Sequence, residues 1–564
     1  MRYRFRIPAT LILAVSISAC ASFNDAGADA RFVPQNPYGL YLGARSAASA
    51  HDLADAAALY RDSLAFDPSN SDLLDKAFLY TAASGEFGKA VKLARQMVDA
   101  EPDNRAARLA LAVDAFRDER YSDARGELSK SAKGPFTALT LSVLDAWAAQ
   151  GEGNTDAALA DLKSVPGEGG TETLAAFQSA LILDLAGRGD AADAAYRQTL
   201  EAGTSPRVID AYGRFLERSG RANDARALYE KEKSDASLAT IAAPGLARIA
   251  AGEKPDRLVS SPAQGAAEAL FGIAASLTDQ TSADIAILYL QFALVLSPDF
   301  DLAKIVLADR YEALGKYMEA ISVYRTVSEG SPYKSASDIQ IAIDESHENK
   351  TDQAIADLVS ITNARPDDLS AWTSLGDLYR SAEKYPNAKD AYDHAVKLLN
   401  PPSKDDWPLF FARAAAEDQS GQWTLAEADL EMALKLSPDQ AQVLNFLGYS
   451  WVDKGQHLAE ALAMLEKARA LSPYDGYIVD SVGWAYYRVG RYSDAARTLE
   501  SAVLLVPGDS TINEHLGDAY WRIGRKLDAR FQWSHALAFG PESAEKPKLE
   551  RKLKNGLDTG GNPA

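Results

Sequence analysis

Apolar and small residues recur along this chain at helical spacing, in paired segments separated by a glycine and closed by a proline. In the stretch that ends at Pro507, Val482-Gly483 and Tyr486 mark one face of a first segment. Gly490 then marks a turn, and Ala495, Leu499 and Ala502 mark one face of a second segment. The next stretch repeats this with Leu516-Gly517, Tyr520, Gly524, Ala529, Trp533, Ala536 and Pro541. An earlier one has Trp372, Leu375-Gly376, Tyr379, Ala388, Tyr392 and Ala395. Pro298, Pro332 and Pro366 are 34 residues apart, as are Pro68 and Pro102, and Pro473, Pro507 and Pro541. Small residues let two helices approach while an aromatic or leucine fills the space beside the contact, so Gly483 is expected to face Ala495 and Ala502. Proline cannot continue the helical ladder and ends each unit. The pattern predicts an all-α chain of helix pairs, each too small to bury its apolar face alone and stable only when stacked. Tyr379, Tyr486, Tyr520 and Trp533 fall on the packing side and are expected in the core.

This period and set of positions resembles the tetratricopeptide repeat, which implies an α-solenoid. The register runs from Tyr38 to about Pro541, with decreasing clarity toward the N-terminus. Residues 252–265, with Pro255, Ser260, Ser261, Pro262 and Gly265, interrupt it. They are expected to connect two arrays, a degenerate one at 37–251 and a second at 266–545. Insertions near Gln456-His457 and Pro401-Pro402 are expected in inter-helix turns. Residues 546–564 should supply a polar cap, from the charged stretch Glu542 to Lys554, and a disordered tail.

The N-terminus follows another logic. Arg2, Arg4 and Arg6 precede an apolar run from about Ile7 to Ile17, which is too short to span a bilayer and ends at Ile17-Ser18-Ala19-Cys20. This resembles the lipobox of bacterial lipoproteins, which implies that residues 1–19 are a signal peptide and that Cys20 is lipidated. The other reading is an ordinary signal or uncleaved anchor with an incidental cysteine. Residues 20–36, including the polar stretch Asn24 to Asn36, would then be a spacer between lipid and first repeat.

Cys20 is the one cysteine, so neither disulfides nor thiolate metal sites are expected, and six scattered histidines show no metal-ligand spacing. The formal net charge of −20, or −23 once Arg2, Arg4 and Arg6 are removed, opposes binding to nucleic acid or to anionic lipid surfaces, so membrane contact is expected through the N-terminal lipid only. No nucleophile elbow or phosphate-binding loop is present, and repeats consume the chain. A non-enzymatic protein with neither cofactor nor metal is expected.

A solenoid's working surface is lined by first-helix residues that do not pack inside their own pair. Helical spacing places Asn445, Phe446, Tyr449 and Val452 there in one unit. The next contributes Tyr477, Asp480, Trp484, Tyr487 and Arg488, and the last Glu514, His515, Asp518, Trp521 and Arg522. Such rings either line a protein-binding groove or pack between neighbouring first helices.

The runs Asn445-Phe446-Leu447-Gly448-Tyr449, Asp480 to Tyr487 and His515 to Trp521 resemble proteobacterial outer-membrane tetratricopeptide lipoproteins. One type in that group is the partner of carboxy-terminal processing proteases. The resemblance implies an envelope-tethered adaptor, at the periplasmic face of the outer membrane, that recruits a periplasmic protease or cell-wall hydrolases. The alternative is an assembly factor for a secretion, pilus or polysaccharide-export machine.

Overall fold

Several of the repeating prolines are followed two residues later by asparagine or aspartate, and in the computed structural model that residue caps a first helix. Asn70 Oδ1 accepts a hydrogen bond from Leu73 N at 3.1 Å, and Asn104, Asp368 and Asp509 cap in the same way. The first helix ends beside a left-handed residue such as Gly490 (φ 79°), after which Arg491 N returns to Tyr486 O at 2.8 Å. Glu119 and Glu383 hold the equivalent position at φ 57° and 59°. A Cβ in that conformation costs about 1 to 2 kcal/mol.

The structure describes residues 36–163, 165, 171–232, 236–277 and 282–557. Cys20, the expected signal peptide, residues 20–35 of the spacer and the tail from 558 lie outside the described residues. Asn36 caps the first helix, accepting from Gly39 N at 2.8 Å.

Among the described residues the chain is all helical, a solenoid of stacked pairs with no strand. The pairs begin with α1 (Pro37–Ser49) and α2 (Leu53–Phe66), α3 (Ser71–Ala83) and α4 (Phe87–Ala100), α5 (Arg105–Arg117) and α6 (Tyr121–Ser129). They continue with α7 (Pro135–Gly151) and α8 (Thr155–Lys163), α9 (Thr171–Leu185) and α10 (Gly189–Ala202), α11 (Pro206–Arg218) and α12 (Ala222–Glu232). A single helix, α13 (Ala236–Ala251), precedes α14 (Pro262–Ser276) and α15 (Ala283–Leu296), α16 (Asp301–Ala313) and α17 (Tyr317–Tyr324), α18 (Lys334–His347) and α19 (Thr351–Ala364). The last pairs are α20 (Leu369–Ser381) and α21 (Tyr385–Leu398), α22 (Trp407–Gln419) and α23 (Trp423–Leu436), α24 (Ala441–Lys454) and α25 (Leu458–Leu471). Then come α26 (Gly476–Arg488) and α27 (Tyr492–Leu505), α28 (Ser510–Arg522) and α29 (Lys526–Ala538), and the closing α30 (Lys546–Asn555). The insertions near Gln456 and Pro401 lie in turns, as expected.

Two compact units result, an N-terminal one ending at Ala354 and a C-terminal one beginning at Ile355, within α19. The expected division at 252–265 needs correcting. Residues 252–261 do not separate two bodies. Their Arg257 Nε donates to Asp184 O of α9 at 3.2 Å, and the chain turns back into the N-terminal unit. There α14 packs on α5, α7 and α9, and α15 on α3 and α5, so this hairpin fills the inner face of the first-helix row. Gly265 lies against the buried Trp147 ring, where a Cβ would come within 2.3 Å. Phe292 meets Phe87 edge-on with centroids 5.8 Å apart, and Arg207 Nε donates to buried Glu268 at 2.9 Å. The physical reason is composition: apart from Asp284 and Gln291, which share one side, α15 is apolar, so most of it must be covered. Burying Ile287, Leu288, Tyr289, Leu290 and Phe292 contributes roughly 10 kcal/mol.

In the C-terminal unit each first-helix glycine is a socket for a second-helix side chain. A Cβ at Gly376 would lie 2.4 Å from Tyr392, and one at Gly517 would lie 2.5 Å from Trp533; both rings are fully buried. Gly483 behaves likewise, but its partner is Leu499 at 2.6 Å and not Ala495 or Ala502, because the larger side chain between those alanines reaches the gap first. Gly517→Ala is expected to destabilise the protein by roughly 1 to 2 kcal/mol, since overpacking outweighs Ala's helix propensity. Glu383→Gly is expected to stabilise it by about 1 kcal/mol by removing the left-handed strain. Chemical denaturation of both variants against wild type checks the opposite signs.

Candidate partner-binding face of the C-terminal unit

The repeat register brings the residues named from sequence onto neighbouring first helices: Asn445, Phe446, Tyr449 and Val452 on α24; Tyr477, Asp480, Trp484, Tyr487 and Arg488 on α26; Glu514, His515, Asp518, Trp521 and Arg522 on α28. Helices α24 and α26, and α26 and α28, pack directly together, so the three sets form one surface. The expectation that they stand open needs correcting. Asn445, Phe446, Tyr449, Val452, Asp480, Tyr487, Glu514, His515 and Asp518 are buried, and Trp484, Arg488, Trp521 and Arg522 are half-buried. Tyr477 alone among them is exposed, at 43%. The first helices approach so closely that each row fills the space beside the next.

What they build is a charged and aromatic seam. His515 Nδ1 lies 2.9 and 3.0 Å from the two oxygens of fully buried Asp480, and it donates to that carboxylate. The Trp484 ring stacks on His515 at 4.1 Å and on Tyr487 at 4.8 Å, making a three-ring sandwich across two repeats. Tyr487 Oη accepts from Arg522 Nε at 3.3 Å, and Arg488 Nη1 donates to Asp453 O at 3.1 Å. At the end of the row Lys552 of α30 donates to Glu514 Oε1 and to Asp518 Oδ2, each at 2.6 Å, while Asp518 Oδ1 also accepts from Trp533 Nε1 at 2.9 Å. Burial alone would lower the Lys552 pKa, but Asp518 and Glu514 outweigh it and raise the pKa. Gly556 lets the chain lie against Trp521, where any Cβ would fall within 1.9 Å of the ring. The cap is therefore polar as expected, yet its Lys552 and Leu549 are structural.

Tyr520 and Trp533 are buried as expected. Tyr379 and Tyr486 are not core residues but half-buried ones; Tyr486 Oη donates to Glu466 at 2.6 Å with Arg491 over its ring at 4.3 Å. Sequence reasoning missed Trp407 and Phe411 of α22, both half-exposed, with Phe411 meeting Phe446 edge-on at 6.0 Å. Extending the register one repeat back from Asn445 lands on Phe411, so the signal was available.

Among the described residues no group of side chains is arranged to hold a metal ion, and no helix is long and apolar enough to cross a membrane. A tetratricopeptide repeat profile matches residues 77–136, 411–476 and 483–544. The chain is thus a tetratricopeptide-repeat protein with bacterial relatives. It is 36% identical over 93 residues to the TPR repeat-containing protein PA4667 of Pseudomonas aeruginosa, covering 16% of each chain. It is 34% identical over 113 residues to cytochrome c-type biogenesis protein CycH of Rhizobium meliloti, covering 20% of this chain and 28% of that one. The matched segments therefore span only a minor part of these relatives. Similar solved structures include the APC/C hetero-tetramer Cut9-Hcn1, 15% identical with a TM-score of 0.38, covering 93% of this chain and 97% of that one.

Burial disfavours a charged His515, but the charge and hydrogen bond of Asp480 outweigh it, with help from Glu514 and Asp518, and its pKa is raised above 6.5. A raised folded-state pKa contributes stability that is fully present below the unfolded value and is lost as pH rises through the folded one. The melting temperature of wild type should therefore exceed that of His515→Gln most on the acid side, and the gap should shrink as pH rises. Trp484→Ala is expected to cost roughly 2 to 3 kcal/mol, as loss of a packed ring does. Melts from pH 5 to about 9 test both; a Trp484→Ala variant as stable as wild type would mean the ring is not part of the seam.

Proposed function

We propose that this repeat protein is a non-enzymatic, lipid-tethered scaffold of the bacterial envelope that recruits a periplasmic protease or cell-wall hydrolase and its substrates. The observation that carries the reading is a contrast between the two inner faces. In the N-terminal unit the chain's own α14–α15 hairpin fills that face. In the C-terminal unit Trp407, Phe411, Trp484 and Trp521 stay half-exposed along it, and α30 closes only its end. Half-exposed aromatic rings are favoured anchors for a protein partner. Cys20, read as a lipid attachment site, supplies the tether, and the periplasmic face of the outer membrane is the expected location. Tethering raises the local concentration of whatever the C-terminal unit holds.

A second reading, an assembly factor for an envelope machine, draws support from the similarity to CycH, whose name assigns it to cytochrome c biogenesis. The two separate in one experiment. Crosslinking in cells followed by mass spectrometry is expected to return a processing protease or a cell-wall hydrolase. Recovery of export or biogenesis components alone would favour the second reading. Trp407→Ala with Phe411→Ala should weaken that capture by about tenfold, about 1.4 kcal/mol, with helical content kept. Cys20→Ser should release a folded protein that still captures the partner from the soluble fraction.

A further inference from the structure

The C-terminal end of the chain reverses the charge of the rest. Residues 522–557 carry nine Lys and Arg against four Asp and Glu, in a chain whose formal net charge is −20. On α30 the residues Lys546, Lys548, Arg551 and Lys554 are exposed, whereas Lys552 turns inward to Glu514 and Asp518 and Leu549 is fully buried. Glu545 pairs with Lys548, leaving Lys546, Arg551 and Lys554 as the cations that no carboxylate of the described structure is seen to neutralise. The neighbouring α29 exposes Leu527 at 82% and Phe531 at 59%, one turn apart on the side opposite buried Ala529, Trp533 and Ala536. The two helices pack together, and Arg530 Nε of α29 donates to Leu553 O at 3.3 Å.

These side chains stand exposed on the outer side of the two helices. Exposed large apolar side chains on one helix, packed beside a helix that exposes cations, match a bilayer interface, where phosphates meet Lys and Arg while rings and leucines enter the acyl boundary. Charges more than about 8 to 10 Å away are screened at physiological salt, so the local sign of this end governs the encounter, not the net charge of the chain. We propose that the α29–α30 end is a docking surface for an anionic lipid bilayer, independent of any lipid on Cys20.

The test uses the full chain carrying Cys20→Ser, so that no acyl chain contributes, in flotation with vesicles. Binding is expected to phosphatidylcholine vesicles with about 30% phosphatidylglycerol at low salt, and not to pure phosphatidylcholine. Lys546→Glu with Arg551→Glu and Lys554→Glu should lower the partition coefficient at least about tenfold. Leu527→Ser with Phe531→Ser should lower it by a similar factor on the same anionic vesicles at low salt, where charge attraction and apolar insertion act together. Circular dichroism and melting of each variant should match the parent, since the altered side chains are exposed. The proposal is overturned if the anionic vesicles do not bind, if neutral vesicles bind equally, or if charge reversal leaves binding unchanged. Capture of an acidic protein by this end without vesicle binding overturns it too.

Discussion

Everything in this solenoid depends on how closely the first helix of a pair approaches the second, and that distance is set by a missing Cβ. Gly376 admits Tyr392, Gly517 admits Trp533 and Gly213 admits Tyr229, in each case across sixteen residues of sequence. The ring then enters the space a Cβ would take and is removed from water entirely. A methyl group there would clash at about the depth of the ring itself, so the socket fixes both the separation and the angle of the pair. Where the second-helix residue is aliphatic, as with Leu499 on Gly483, the same gap is used with a more compliant partner.

Close pairs leave first helices close to their successors, and this explains the seam along α24, α26 and α28. Side chains that would line an open surface in a looser stack are here pressed between repeats. Polar groups are kept because they satisfy one another. Asp480 with His515, and Glu514 and Asp518 with Lys552, balance charge at places where an unpaired carboxylate would cost several kcal/mol. Lys552 comes from the cap and serves the last repeat as the next repeat would have served it. The solenoid's end is thus closed by chemistry borrowed from its own interior, as repeat arrays require.

The sequence made the pairs legible and left their burial illegible, for a physical reason. Period and small-residue spacing report which side chains share a face of one helix, and so Gly490, Pro507 and Trp533 fell where expected. They say nothing of how near the next helix comes, so Asp480, Tyr487 and His515 read as surface and proved to be interior. Longer reach is harder still. Thr140 and Tyr289 are 149 residues apart in sequence, their hydroxyls 3.4 Å apart, and no local pattern pairs α7 with α15. Yet one clue was present. A fourteen-residue helix in which only Asp284 and Gln291 are polar calls for more cover than one repeat neighbour supplies.

Filling an inner face has a functional consequence. A solenoid with two free grooves could hold two partners at once, whereas here the hairpin occupies the first and the proposed recognition falls to the other. In the C-terminal unit Phe411 of α22 meets Phe446 of the seam edge-on, so on the proposed reading that ring is braced against packed first helices before a partner arrives. Preorganisation of that kind lets a few aromatic contacts suffice, because the entropy of ordering the site is settled in folding and not in association. On the proposed reading, the seam that buries most of the residues first read as a groove supports the few that stay half-exposed.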